Sequence, residues 1–251
     1  MNDKKNLDLT NINYEGFRKL ATNQNLTQYE KIGFPNSYRE GIEPTIFADI
    51  LSKLTNLNTT NKSVLDIGPG CSELPKLLIN LCSTNSHKLI FSDSEEMLTF
   101  HHDKDFLFKV PGMFPKTYDK ICEIEPQYDV ILCYSVFHYI YFDTNVWSFI
   151  DNCVKLLKPG GQLLLGDIPN ISKRKRFFAS SAGVEYHKHF MNTNSCPDVM
   201  FNKIEEGKID DAVLLSLMMR VQASGFDAYL VPQMDGLPMS NRRDDILIVR
   251  P

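Results

Sequence analysis

The chain has 251 residues, 43% of them apolar, and a formal charge of −4, which suits one α/β domain with decorations. Acids and bases are balanced and interspersed, so no global positive field recruits a polyanion, and nucleic acid is excluded as an expected partner. No stretch approaches eighteen apolar residues, and the amino terminus Met1-Asn2-Asp3-Lys4-Lys5 has no apolar run behind it, so a soluble, cytoplasmic protein with no membrane partner is expected.

Residues 1–60 read as a polar, helical N-terminal lid. Thr27 can cap a helix through Tyr29, Glu30 and Lys31, and Pro44 suits the first turn of a helix through Ile46, Phe47, Ile50, Leu51 and Leu54. The polar stretch Asn56 to Lys62 marks a boundary. Residues 61–167 then alternate strands with helices and form the α/β core. Its strands are Ser63–Ile67, Lys88–Phe91, Phe106–Val110, Asp129–Tyr134 and Gln162–Gly166, with helical spacing over Leu74–Leu81, Met97–His101 and Trp147–Leu157. The fourth strand is dense enough in apolar residues to be covered on both faces, and the alternation implies parallel strands joined by right-handed crossovers. The rhythm pauses over 168–207, a basic, aromatic and amide-rich insertion on the substrate side, long enough for a functional role. Residues 208–251 resume with a helix over Asp210–Ser224 and strands at Asp227–Val231 and Asp245–Val249. The six cysteines form no C-x-x-C pair and read as reduced, core-filling thiols.

Asp66-Ile67-Gly68-Pro69-Gly70 follows the first core strand and opens a helix, the context in which a glycine turn lets a ligand lie against the backbone. Asp93 ends the next strand, where a carboxylate accepts hydrogen bonds from ribose hydroxyls. Together they predict a nucleoside ligand. Dinucleotide enzymes need a third small residue in the turn, and Glu73 stands there instead, beside a helix start where a pyrophosphate would sit. S-adenosylmethionine (AdoMet) has no phosphate and carries two cationic groups, so it suits these carboxylates; a nicotinamide-dependent oxidoreductase is the disfavoured alternative.

The set Val64–Gly70, Phe91-Ser92-Asp93, Tyr128–Tyr139, Leu156–Leu164 and Ala223-Ser224-Gly225-Phe226 resembles the class I (Rossmann-like) AdoMet-dependent methyltransferases over about three quarters of the chain. The resemblance implies a doubly wound, seven-stranded, mostly parallel sheet in the order 3-2-1-4-5-7-6, with strand 7 antiparallel. It implies that Asp66, Gly68 and Gly70 line the methionine end of the cofactor and that Asp93 holds the ribose, with Pro69 and Ser94 also in the cofactor site. Gly112 and Met113 would approach adenine, and Tyr134 and Ser135 the transferring methyl. Tyr29–Pro35 and Gly166–Asn170 also resemble methyltransferases encoded among bacterial surface-polysaccharide genes. That likeness implies a sugar, a sugar nucleotide or a phosphorylated substituent on one as acceptor.

Methyl transfer is an in-line displacement in which positioning supplies most of the rate. A sugar hydroxyl needs a base, whereas an anionic oxygen or neutral amine needs little help. Catalytic candidates at the carboxyl ends of the strands are His138, Asp167 and Tyr134. His138 is either a base or a helix-start histidine bonded to backbone; Asp167 is a base, an orienting group or a cap. Substrate-binding candidates are Arg39, from the lid to a carboxylate or phosphate, together with Asn170, Arg174, Arg176, His187 and His189. The run Lys173–Arg176 reads as a phosphate cradle or a solvated face. No metal site is expected, because His187-x-His189 lacks a third ligand of matching spacing. The rival to an enzyme is an AdoMet-binding module without chemistry. Oligomeric state is not encoded in any feature of the sequence.

Overall fold

A computed structural model describes residues 12–251; the polar tip Met1–Lys5 lies outside them. The strands are β1 (Ser63–Ile67), β2 (Lys88–Asp93), β3 (Leu107–Pro111), β4 (Tyr128–Tyr134), β5 (Leu157–Pro169), β6 (Asp227–Val231) and β7 (Arg243–Val249). They form one sheet in the order β3-β2-β1-β4-β5-β7-β6. Pairing is parallel from β3 through β5, while β7 runs antiparallel to both β5 and β6. The doubly wound order expected from the resemblance is therefore present, antiparallel β7 included. The order differs from the 3-2-1-4-5-6 of the dinucleotide-binding sheet, which speaks against the nicotinamide reading.

The helices are α1 (Tyr14–Thr22), α2 (Gln28–Lys31), α3 (Glu43–Lys53), α4 (Leu74–Thr84), α5 (Glu95–Leu98), α6 (Tyr118–Ile124), α7 (Phe137–Asp143), α8 (Val146–Lys155), α9 (Ile171–Ala179), α10 (Ser181–Met191) and α11 (Asp211–Ala223). Side chains alternate across a strand, and here each face has its own core. Leu65, Ile131, Cys133, Leu163 and Leu165 pack with Phe149, Cys153, Leu217 and Val221 of α8 and α11. Val64, Val130, Leu132 and Leu164 face the other way, onto Ile46 and Ile50 of α3 and Leu78 and Cys82 of α4. Cys82, Cys133 and Cys153 are free, fully buried thiols, as the sequence suggested, but Cys196 is exposed.

Thr27 caps α2 through a reciprocal capping box with Glu30, and Pro44 occupies the first turn of α3. Because α3 belongs to the sheet's core, the covering segment is narrower than residues 1–60: it consists of α1, α2 and the turns up to Ile42. The Tyr14 amide donates to the Asp143 carboxylate at the end of α7, and Arg18 pairs with Glu96 of α5, so α1 bridges the two sides of the strand ends. The insertion is not a loop throughout. Asn170 caps α9 and Ser180 caps α10, and irregular chain follows from Asn192. β5 also extends past its expected end, and its register against β7 breaks between Leu165 and Ile168, placing Asp167 at the irregularity.

Candidate active site

Over the carboxyl ends of β1, β2, β3 and β4 lies a cleft of roughly 950 Å³, roofed by α1 and the chain up to Glu43. Gly68, Pro69 and Gly70 form its floor. Gly68 and Gly70 both have left-handed φ, +75° and +67°. A Cβ on Gly68 would come within 2.6 Å of Val136, and one on Gly70 within 2.6 Å of Ile32. Conformation and space both demand glycine, so the floor is bare backbone where a ligand can approach closely.

Asp93 stands beside this turn. Its Oδ2 accepts from the Gly70 amide at 3.0 Å and its Oδ1 from the Ser94 amide at 2.6 Å. Burial pushes its carboxyl up to about 6, the two amides pulling the other way. Gly112 and Met113 line the cleft beyond β3, and Tyr134 and Ser135 line it beyond β4. Two predicted residues support rather than line it. The Asp66 carboxyl is buried in β1, where burial and the charge of Asp93 push it well above its ordinary value. The Ser94 hydroxyl accepts from the Met97 amide as the cap of α5, which orients the backbone that holds Asp93.

A smaller cavity of roughly 290 Å³ adjoins the cleft and shares Phe34, Arg39 and Tyr134 with it. Asp167, Gln233, Leu237, Met239 and Arg243 complete its wall. Arg39 Nη2 donates to Ser135 Oγ at 2.5 Å and to Asp167 Oδ2 at 3.0 Å, with its guanidinium 4.1 Å from the centre of the Phe34 ring. Arg243 Nη1 lies 3.1 Å from the same carboxylate oxygen and donates to the Asp167 carbonyl at 2.8 Å. Burial alone would raise the Asp167 carboxyl, but Arg243 and Arg39, then Ser135 and Gln233, hold it below the usual carboxylate range. A carboxylate so tied is an organiser of guanidinium groups and a poor proton acceptor.

His138 is the clearest departure from expectation. It sits on α7 against Tyr139, its ring 3.9 Å away, and lines neither cavity. Among the described residues its buried Nδ1 has no hydrogen-bond partner, so the backbone-bonded reading also does not describe that nitrogen. Burial, reinforced by Arg243, pushes its pKa down to about 3, so at neutral pH it has almost no affinity for a proton.

The insertion residues go elsewhere as well. Asn170 is buried as the α9 cap, its amide bonded to Asp211 and Asp244. Arg176 pairs with Asp211, Lys173 with Asp244 and Lys175 with Glu205, so three of the four cations in the run are neutralised internally. Arg174 and His187 line a separate hollow of roughly 680 Å³ with Phe178 and Met200, and His189 is exposed. Arg39 alone of the predicted substrate residues reaches the cleft. Glu43, Gln233 and Arg243 belong to no local motif, because their partners Leu74 and Asp167 lie 31, 66 and 76 residues away.

Residues 65–163 match the family described as a methyltransferase domain. The plantazolicin methyltransferase BpumL in complex with SAH is similar in fold at 12% identity, with a TM-score of 0.57 over 94% of this chain and 95% of that one. BamL, in complex with a triazolic desmethylPZN analog and SAH, gives 13% identity and 0.56 over 93% and 97%. The CurJ carbon methyltransferase gives 13% and 0.53 over 96% and 65%. No curated protein matches the chain. The domain match holds the glycine turn and runs from β1 into β5, and the whole chain shares its fold with these methyltransferases.

Proposed function

We propose that the enzyme methylates a small sugar-type acceptor of surface-polysaccharide biosynthesis, at an anionic oxygen such as that of a phosphorylated substituent, with the acceptor entering through the smaller cavity. Bound AdoMet supplies a methyl group already activated on a sulfonium. Asp93 holds the ribose, Gly68 to Gly70 carry the backbone surface beneath the nucleoside, and Met113 faces the adenine. Tyr134 and Ser135 border the reacting centre.

The observation that carries this reading is the sharing of one carboxylate, Asp167, by two guanidinium groups, Arg39 and Arg243, at the mouth of the smaller cavity. Among the described residues, Nε and Nη1 of Arg39 have no hydrogen-bond partner, which leaves planar donors for an anionic group. The rings of Phe34 and Tyr134 offer flat apolar surface beside them. An anionic nucleophile also fits the lack of a competent base, since His138 stays neutral and Asp167 is already paired. Water exclusion by the roof and in-line positioning then account for the rate without a proton transfer.

The test is a mass-shift assay with AdoMet against matched neutral and phosphorylated sugars and sugar nucleotides. A mass gain of one methylene is expected on anionic acceptors, with Arg243→Met abolishing it. Turnover of neutral sugars alone, unaffected by Arg243→Met, would refute the proposal.

A further inference from the structure

One charged group on the wall of the main cleft has half of its hydrogen-bonding capacity unused. Glu43 opens α3 and is fully buried. Its Oε2 accepts from the Leu74 amide at 2.6 Å, so the lid side of the molecule caps α4, a helix whose own cap position, Glu73, provides no side-chain bond. Among the described residues, Oε1 has no hydrogen-bond partner. Burial holds the carboxyl above its ordinary value, with Ser72, Arg39 and the Leu74 amide pulling the other way. The nearby cation, Arg39, bonds through Nη2 to Ser135 and Asp167 and makes no hydrogen bond to Glu43. A buried acceptor left without a donor is costly, and a wall position facing a ligand cleft gives that donor a natural source.

The order of residues along the sheet edge says which part of a ligand comes to it. Gly112 and Met113 follow β3, Asp93 ends β2, the glycine turn follows β1, and Tyr134 ends β4. With the ribose at Asp93 and the adenine toward Met113, the amino-acid tail is left the direction of β1 and β4. Glu43, Ser72 and Leu74 line the cleft on that side.

We propose that Glu43 Oε1 receives the α-ammonium of AdoMet, so that the first turn of α3 is a part of the cofactor site that reads the amino-acid end of the ligand. The inference rests on the reading that Asp93 holds the ribose. It also assigns Glu43 two tasks, one per oxygen: capping α4 beside the glycine turn and binding the cofactor's ammonium. Turn geometry and cofactor recognition are then joined in one side chain.

Calorimetry on the whole protein tests it with S-adenosylhomocysteine and its desamino analogue, which differs only in lacking the amino group. Glu43→Gln keeps an oxygen for the Leu74 amide and loses the charge. Removal of the ligand's amino group should weaken binding to the wild-type protein about 10- to 100-fold, the range for a hydrogen bond between charged groups. Glu43→Gln should weaken S-adenosylhomocysteine by a similar factor while leaving the desamino analogue within about twofold, since the two changes remove one interaction. Equal losses for both ligands would mark Glu43 as a cap and nothing more, and overturn the inference. So would wild-type protein that binds both ligands equally, a result that needs no folded variant. Wild-type protein that binds neither ligand would instead overturn the cofactor reading on which the inference stands.

Discussion

Ser135 donates its hydroxyl proton to Asp167 Oδ2 at 2.5 Å across the ends of β4 and β5, and both residues hold left-handed backbone angles, φ +61° and +60°. For a residue with a Cβ this conformation costs about 1–2 kcal/mol, so the neighbouring structure must hold it in place. Arg39 and Arg243 do so by clamping the carboxylate from two directions. The two strand ends, the lid and β7 therefore meet at one carboxyl group.

Asp167→Asn should consequently act through stability and arginine placement. It leaves two nearly buried guanidinium groups without their shared counter-charge, a change that typically costs about 3–5 kcal/mol. Thermal denaturation should show a melting temperature lowered by several degrees. Unchanged stability would mean that Asp167 does not organise the pair.

His138 should be dispensable for chemistry. Its pKa of about 3 lies below the ordinary 6.5, so folding excludes the proton that the unfolded chain takes up. Native stability is thereby lost as the pH falls from about 6.5 toward 3. His138→Phe should keep turnover within about threefold, against the roughly 10²- to 10⁴-fold loss expected on deleting a general base. It should also blunt the acid sensitivity in that window. A loss of a hundredfold at neutral pH in a folded variant would restore His138 as a catalytic group.

Asp93 carries the opposite sign. Its folded pKa of about 6 lies above the ordinary 3.8, so its contribution to the stability of the free protein is complete below 3.8 and lost as the pH rises through about 6. Ribose hydroxyls need the ionised acceptor, so cofactor affinity should rise through the same window. The increase in melting temperature caused by AdoMet should be larger at about pH 7.5 than at about pH 5. Asp93→Asn should flatten that dependence; an identical pH response in the variant would assign it to another group.

Gly68→Ala combines a left-handed φ of +75° with a methyl 2.6 Å from Val136. It should cost about 1–3 kcal/mol, the range of backbone strain at such positions, and weaken AdoMet more than it weakens the fold. Parallel melting and binding curves separate the two, and a variant that binds as tightly as wild type would contradict the close approach of ligand to the turn.

The features legible in the sequence were those set by local chemistry. The glycine turn, the carboxylate at the end of β2, the helix cap at Thr27 and the Pro44 helix start depend on neighbours a few residues away, and all four stand where the pattern puts them. Helical spacing and strand alternation likewise located the sheet. The smaller cavity was less legible because its contacts join distant segments: Arg39 meets Asp167 across 128 residues, and Arg243 meets it across β5 and β7. The basic run at Lys173–Arg176 reads as a solvated face or a phosphate cradle because a sequence displays cations without their partners. Asp211, Asp244 and Glu205 are those partners. His138 misled for a related reason, since burial decides an imidazole's proton affinity and residue type does not.

Titrating AdoMet calorimetrically into wild-type protein, Gly68→Ala and Asp93→Asn, with NAD as the comparison ligand, probes the shared foundation of these proposals. One molecule of AdoMet bound per wild-type chain, markedly weaker binding to both variants and no heat from NAD is the predicted result. Folded wild-type protein that takes up NAD, or that gives no heat with AdoMet, would contradict it.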